Sequence, residues 1–257
     1  MPRKTEPTPA PATRTGEPVT SHAPPAPVSN PAEVAAFLAK VKAMTPAARA
    51  AGRGRLIFAM DATMSREPTW DMAQAIQAEM FQAVKAVGHL DVQLVYYRGF
   101  DECRASAWVS DPDALARLMV KVRCEAGQTK IGRVLAHALS EARQERVHAL
   151  VFVGDCMEEE IDVLAHQAGE LALTGLPAFM FQEGRNKTAA AAFREVARLT
   201  RGAYCPFDEG SAGQLKALLA AVAVYAAGGL TALEDLSRTG TSAAPQLLLG
   251  QLKSPDP

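Results

Sequence analysis

From Leu56 onward, short apolar runs alternate with longer segments whose apolar residues recur at helical spacing. Most of the runs are continuously apolar, which is typical of strands that are buried on both faces of a parallel sheet. The predicted strands span residues 56–60, 91–97, 104–109, 149–154, 178–181 and 203–207. The predicted helices span residues 70–87, 111–122, 131–144, 161–174 and 188–200, and a last one begins at residue 211.

This alternation predicts an α/β fold with three layers, in which a doubly wound, mostly parallel sheet is covered by helices on both faces. The second and third predicted strands follow each other closely enough to form a hairpin. We therefore expect one antiparallel strand at the edge of the sheet.

The chain divides into four predicted parts. Residues 1–31 hold nine of the 17 prolines and are too polar to form a core, so they are predicted to be a disordered Pro/Ala-rich arm. A short helical pattern occupies residues 32–52, the α/β domain spans residues 53–229, and residues 230–257 form a C-terminal tail. A spacer or solubilising arm is favoured over a ligand for a proline-binding groove, because a clean P-x-x-P series with basic flanks is missing. The tail contains three consecutive leucines, and the sequence leaves open whether they dock on the domain or on a partner.

Composition excludes several classes of protein. A formal net charge of -1 and an aromatic content of 6% argue against nucleic-acid binding by bulk charge or by base stacking. Residues 217–233 carry no charge, but they are rich in Ala and include Gly228 and Gly229, so a packed helix is favoured over a membrane span. The four cysteines have no Cys-x-x-Cys spacing and the N-terminus has no signal-peptide pattern, which predicts buried reduced thiols in a cytoplasmic protein.

Oxygen-bearing side chains follow the apolar runs at the predicted carboxyl edge of the sheet. Asp61, Thr63 and Ser65 come at alternate positions after the first strand, Thr129 precedes the third predicted helix, and Asp155 follows the run at 149–154. Ligands of open α/β sheets gather at this edge. Each side chain taken singly could be a helix or turn cap. Together they form a set of oxygen ligands that suits Mg²⁺, with Mn²⁺ as a second candidate.

The same residues resemble the metal-ion-dependent adhesion site (MIDAS) of von Willebrand factor A (VWA) domains, a Rossmann-like family. Its Asp-x-Ser-x-Ser motif is matched by Asp61, Thr63 and Ser65, its loop threonine by Thr129, and its third-motif aspartate by Asp155. The resemblance covers roughly residues 55–228. It implies that Thr63 and Ser65 contact the metal directly, that Thr129 does so directly or through water, and that both aspartates act largely through water.

Two residues depart from the family pattern. Thr63 replaces the usual serine, which keeps the hydroxyl and adds a methyl group, and Cys156 replaces the glycine that usually follows the third-motif aspartate. The acidic run Glu158–Glu160 comes next, and the sequence leaves open whether it repels an acidic ligand or helps to hold the cation. Cys124 and Cys156 are expected to be small buried hydrophobic residues rather than ligands.

The resemblance implies a binding module rather than an enzyme. It would be an intracellular, bacterial-type adaptor that binds an acidic residue of a protein partner through Mg²⁺. Such a partner could be an ATPase or a chaperone-type machine. One alternative is a metal-dependent hydrolase or phosphoryl-transfer enzyme, although Thr63 stands where the haloacid dehalogenase type needs a second aspartate as acid and base. The other alternative is a scaffold whose metal site is non-functional.

Overall fold

The computed structural model describes residues 53–69, 90–208, 212–240 and 242–254. The predicted arm at residues 1–31, the helical segment at 32–52 and the predicted helix at 70–87 lie outside the described residues.

A single six-stranded sheet forms the centre of the described domain. Its strands are β1 (Gly54–Asp61), β2 (Leu90–Arg98), β3 (Glu102–Ala105), β4 (Ala149–Gly154), β5 (Ala178–Glu183) and β6 (Ala203–Phe207). They lie in the order β3-β2-β1-β4-β5-β6, and every neighbouring pair is parallel except β2 and β3. The predicted mostly parallel sheet with one antiparallel edge strand is confirmed.

Helices cover both faces of this sheet. They are α1 (Pro112–Met119), α2 (Ile131–Gln144), α3 (Ile161–Ala172), α4 (Lys187–Leu199), α5 (Ala212–Thr239) and α6 (Ala244–Lys253), with a 3₁₀ helix at Met64–Thr69. Leu56, Phe58 and Met60 of β1 pack on the side of α1, α5 and α6, whereas Ile57 and Ala59 pack against α2, α3 and α4. Successive side chains of a strand point to opposite faces, so a continuously apolar strand is buried on both sides. The three-layer prediction is confirmed.

The third strand was expected at residues 104–109 and instead spans Glu102–Ala105. Beyond Ala105 the ladder between β2 and β3 keeps only one of its two backbone bonds. The Ser106 N–H donates to the Leu94 carbonyl at 2.8 Å, but the Leu94 N–H donates to the Ser106 hydroxyl at 3.0 Å instead of to a backbone carbonyl. Pairing returns only as an isolated antiparallel bridge between Val92 and Val109. A side chain therefore replaces one rung and shortens the strand.

The uncharged stretch of the sequence lies in α5, which packs in the core as predicted. This helix is long and apolar enough to cross a membrane, yet most of its apolar stretch is buried against the sheet. It kinks at Gly229, whose φ of 69° lies in the region that favours glycine. The helix then continues to Thr239, and α6 folds back to place Leu248 in the core. The leucine cluster of the tail thus docks on the domain itself.

Candidate metal centre

The carboxyl ends of β1 and β4 meet at the centre of the sheet. The two strands are parallel neighbours, with Met60 paired to Val153, so the residues that follow them lie side by side. Asp61 is the last residue of β1, and Asp155 comes directly after β4. One carboxylate oxygen of each aspartate and the Cys156 Sγ all lie within 4.8 Å of one another. The fold therefore brings the first and third motifs of the sequence together.

Asp61 is completely buried and accepts hydrogen bonds only from neutral donors among the contacts described. The Thr63 N–H donates to its Oδ1 at 2.7 Å, and the Tyr97 hydroxyl donates to its Oδ2 at 2.9 Å. Burial raises the pKa of the Asp61 carboxyl, and the charge of Asp155 adds to that rise, while hydrogen bonds from the Thr63 side chain, the Thr63 N–H and Tyr97 lower it. Burial and the neighbouring Asp61 charge raise the pKa of Tyr97 well above its usual value. The tyrosine therefore remains a donor.

The hydroxyls of the first motif lie in one tight turn. Thr63 Oγ1 and Ser65 Oγ are 3.0 Å apart, with Thr63 buried and Ser65 exposed. Two hydrogen bonds stabilise the turn. The Thr63 N–H donates to the Asp61 carboxylate, and the Arg66 N–H donates to the Thr63 carbonyl at 3.1 Å. Backbone bonds therefore fix both hydroxyls next to the buried carboxylate.

Asp155 and Cys156 form the opposite side of the cluster. Asp155 Oδ1 is buried and has no hydrogen-bond partner among the described residues. Cys156 is half-buried, and its Sγ lies 3.9 Å from Ser65 Oγ. Burial, together with the charges of Asp155 and Asp61, raises the pKa of the Cys156 thiol to about 12. Sequence reasoning treated this cysteine as a core residue, whereas the structure places its sulfur beside the two carboxylates.

Thr129 is buried and is hydrogen-bonded to Glu158, which belongs to the acidic segment after Asp155. Its Oγ1 accepts from the Glu158 N–H at 3.0 Å, and its own N–H donates to the Glu158 carboxylate at 3.1 Å. These two bonds attach the loop before α2 to the loop after β4. One lone pair of the threonine oxygen stays available for a metal or a bound water.

Glu159, in the middle of the acidic segment, caps the start of helix α2. Its carboxylate accepts from the N–H groups of Ile131 and Gly132, at 2.6 and 2.9 Å, at the start of α2. A helix N-terminus favours a negative charge and needs acceptors for its first N–H groups. Burial raises the pKa of Glu159, and these backbone bonds lower it. Glu158 and Glu159 thus fasten the site loops to α2, a role that depends on contacts distant in sequence.

Arg66 is a further residue that the sequence did not single out. It follows the hydroxyl turn, is almost completely buried, and forms an ion pair with Glu183 at 2.9 Å. Glu183 is the last residue of β5, the strand next to β4. The ion pair therefore ties the site turn to the carboxyl end of a third strand.

A hard divalent cation fits this set of side chains. The cluster offers two carboxylates, the hydroxyls of Thr63 and Ser65, and a buried Asp155 oxygen without a partner. Mg²⁺ prefers such oxygen ligands and commonly keeps several waters. The structure brings Asp61, Thr63, Ser65 and Asp155 directly together, and Thr129 joins them through the loop that follows Asp155.

Solved structures with the same architecture include several VWA domains. A von Willebrand factor type A protein from Catenulispora acidiphila has a TM-score of 0.54 and 16% identity, with 66% of this chain and 43% of that chain covered. Proximal thread matrix protein 1 from the mussel byssus, solved with a zinc-occupied MIDAS motif, has a TM-score of 0.53 and 18% identity over 67% of this chain and 45% of its own. The SpRpn10 VWA domain has a TM-score of 0.52 and 11% identity over 66% of this chain and 95% of its own.

The first two of these matches involve less than half of the other protein's length. No protein-family model matches the chain, and neither does any curated protein sequence. At identities of 18% or less, the likeness concerns the fold. The strand order, the helical layers and these structural neighbours together show that the chain has the fold of a von Willebrand factor A domain.

Proposed function

We propose that this chain is a metal-dependent protein-interaction module. In this proposal Asp61, Thr63, Ser65, Thr129 and Asp155 hold Mg²⁺, or Mn²⁺, directly or through water, and an acidic side chain of a protein partner completes the coordination. One observation supports the proposal most strongly: Asp61 and Asp155 lie side by side and meet only neutral donors among their described contacts. In addition, Asp155 Oδ1 is buried and has no hydrogen-bond partner among the described residues.

Two carboxylates held this close to each other and partly withdrawn from water repel each other and are poorly solvated. A bound divalent cation would neutralise them and would supply the missing partner of Asp155. Because Thr63 and Ser65 are neutral ligands, the ion would keep enough positive charge to attract a further carboxylate. A partner protein can provide such a carboxylate through an Asp or Glu side chain on its surface.

The surface around the cluster supports a protein partner. Met64, inside the hydroxyl turn, is 43% exposed, and Phe100 is 68% exposed in the turn between β2 and β3. That turn touches the loop before α2, because the Gln128 N–H donates to the Gly99 carbonyl at 3.3 Å. Exposed large apolar side chains beside a charged site are typical of interaction surfaces.

Enzymatic function is the weaker hypothesis. A phosphoryl-transfer enzyme of this type needs an acid and base near its nucleophile, and the residue two positions after Asp61 is Thr63, whose hydroxyl cannot serve in that role near neutral pH. We therefore propose a non-enzymatic cytoplasmic adaptor, of the kind that accompanies ATPases or chaperone-type machines in bacteria. A scaffold with a non-functional metal site remains the third hypothesis.

The test compares three single variants with the wild-type protein. Tagged protein is incubated with lysate of the source organism in Mg²⁺ or in chelator, and Mg²⁺ binding to each purified protein is measured by calorimetry. We expect Asp61→Asn and Ser65→Ala to lose both Mg²⁺ binding and the Mg²⁺-dependent partner. Ser140→Ala changes an exposed serine of α2 and serves as the matched control, which keeps both.

Equal retention of proteins in every lane, with no heat of Mg²⁺ binding, would contradict the proposal and favour the scaffold. Metal-dependent hydrolysis of a simple phosphate ester that disappears in Asp61→Asn would contradict it in favour of the hydrolase.

A further inference from the structure

The sulfur of Cys156 lies beside the two carboxylates of the candidate metal centre. Bonds from zinc to sulfur are about 2.3 Å and those to carboxylate oxygen about 2.0–2.2 Å, so ligand atoms on one ion lie within roughly 4.5 Å of each other. The Cys156 Sγ, one carboxylate oxygen of Asp61 and one of Asp155 are within 4.8 Å of one another. Only a small movement would let all three bind the same ion.

The surroundings of Cys156 favour ligation over other roles of a cysteine. Its sulfur lies within 4.8 Å of a carboxylate oxygen of Asp155 and one of Asp61, and its polar neighbour is the Ser65 hydroxyl at 3.9 Å. Reactive and redox-active cysteines sit in positive surroundings, because a positive charge favours the thiolate. Here the surroundings are negative, and a bound cation would supply the positive charge that stabilises both the carboxylates and a thiolate.

Cys156 is distinct from the other cysteines in this respect. It is the one cysteine that joins two carboxylates in a potential metal cluster within the described residues. Cys124 is also half-buried, but its sulfur is outside that cluster, and Cys205 is buried in the core. The chain thus contains a nearby thiol that can serve as a matched control.

We propose that Cys156 is a sulfur ligand of this site and gives it a preference for Zn²⁺ over Mg²⁺. This inference rests on the proposed metal site and extends it to the choice of ion. Upon binding, the thiol loses its proton to solvent and its sulfur takes one coordination position beside Asp61 and Asp155. Thiolates select Zn²⁺, whereas Mg²⁺ is held by oxygen ligands and water. Zn²⁺ and Mg²⁺ therefore compete for one site, and the available zinc decides which ion occupies it.

Cobalt(II) is the probe, because it replaces zinc in such sites and shows a thiolate-to-cobalt charge-transfer absorption only when a sulfur is bound. The full chain is titrated with Co²⁺ and then with Zn²⁺, and the affinities for Zn²⁺ and Mg²⁺ are measured by calorimetry. The proteins compared are the wild type, Cys156→Ser, Cys124→Ser and Asp61→Asn, with circular dichroism confirming that each is folded.

We expect the charge-transfer band in the wild type and in Cys124→Ser, and its loss in Cys156→Ser. The Zn²⁺ affinity of Cys156→Ser should fall by more than about tenfold, since loss of a direct ligand exceeds the loss of a supporting contact. Its Mg²⁺ affinity should remain unchanged.

A band that persists in Cys156→Ser, or equal Zn²⁺ affinities in Cys156→Ser and the wild type, would overturn the inference. The proposed function stands in that case if Asp61→Asn still abolishes Mg²⁺ binding and partner retention. If Mg²⁺ binding is absent from the wild type as well, the proposed function fails separately from the role of the sulfur.

Discussion

Two clusters of polar side chains lie at opposite ends of β1 and differ in their balance of charge. At the amino end, the guanidinium of Arg55 lies 2.7 Å from a Glu145 carboxylate oxygen and 3.4 Å from one of Glu141. It also stacks over the Trp108 ring at 3.9 Å, and the Trp108 N–H donates to Glu141 at 2.8 Å. At the carboxyl end, Asp61 and Asp155 face each other and hydroxyl, amide and thiol groups.

The difference separates a structural cluster from a binding site. Opposite charges at the amino end satisfy one another, so that cluster is complete within the chain. The carboxylates at the other end lack a balancing cation among their described contacts. Under the proposed function, a bound metal ion supplies that charge. Charge balance, rather than burial or polarity alone, is therefore the property that identifies the site.

The largest effect is expected from breaking the complete cluster. Arg55→Met should lower the free energy of unfolding by about 3 kcal/mol, because it leaves the largely buried Glu141 without its cation and removes the stacking on Trp108. Urea unfolding should show the same loss in Mg²⁺ and in chelator. Arg53→Met, which breaks the more exposed pair with Asp91, is the control and should cost less than about 1 kcal/mol. A loss for Arg55→Met that depended on Mg²⁺ would erase the contrast between the two ends.

The opposite behaviour is expected at the incomplete cluster. Asp155→Asn removes one of the two facing carboxylates, so the protein in chelator should be at least as stable as the wild type. Mg²⁺ at about 100 times its Kd should stabilise the wild type by about 2.7 kcal/mol and the variant hardly at all. Thermal and urea unfolding with and without Mg²⁺ measure both effects. A marked loss of stability in chelator would mean that Asp155 has a structural role.

A smaller effect should appear as pH changes at the amino end. The His148 ring accepts the Arg55 N–H at 3.0 Å, and burial followed by the charges of Arg146 and Arg55 lowers its pKa below 6.5. Around pH 6 the unfolded chain therefore binds more protons at this histidine than the folded protein does, and stability falls as the pH drops below 6.5. His148→Asn keeps an acceptor and should flatten this dependence in urea unfolding between pH 7 and pH 5. An unchanged slope would assign the dependence to other groups.

The sequence predicts elements well where the pattern is local. Helix α2 and strands β4 and β6 have the predicted bounds, because their apolar spacing is itself the signal for burial. Strand β3 is shorter than predicted, because the Ser106 hydroxyl takes a backbone N–H of a different strand. Pairing of this kind depends on contacts between distant residues, which periodicity does not encode.

At the candidate metal centre, too, local patterns could be predicted from the sequence and contacts between distant residues could not. The spacing of Asp61, Thr63 and Ser65 was sufficient to place them together, because they share one turn. The contributions of Cys156 and Arg66 become visible only when the ends of β1, β4 and β5 are brought side by side. The departure at Cys156 from the family's glycine was a signal in the sequence, but its meaning depends on the distance from its sulfur to Asp61.

The ion pair between Arg66 and Glu183 also bears on how the hydroxyl turn can open. If the hydroxyl turn opened on its own, Arg66 would move away from Glu183 and leave a buried charge without its partner, which is costly. We therefore expect the turn to open together with its surroundings rather than as an independent loop. Under the proposed function, the fraction of molecules able to bind a cation would then follow the cooperative stability of the whole domain, so a weakened core would lower metal binding without changing any ligand.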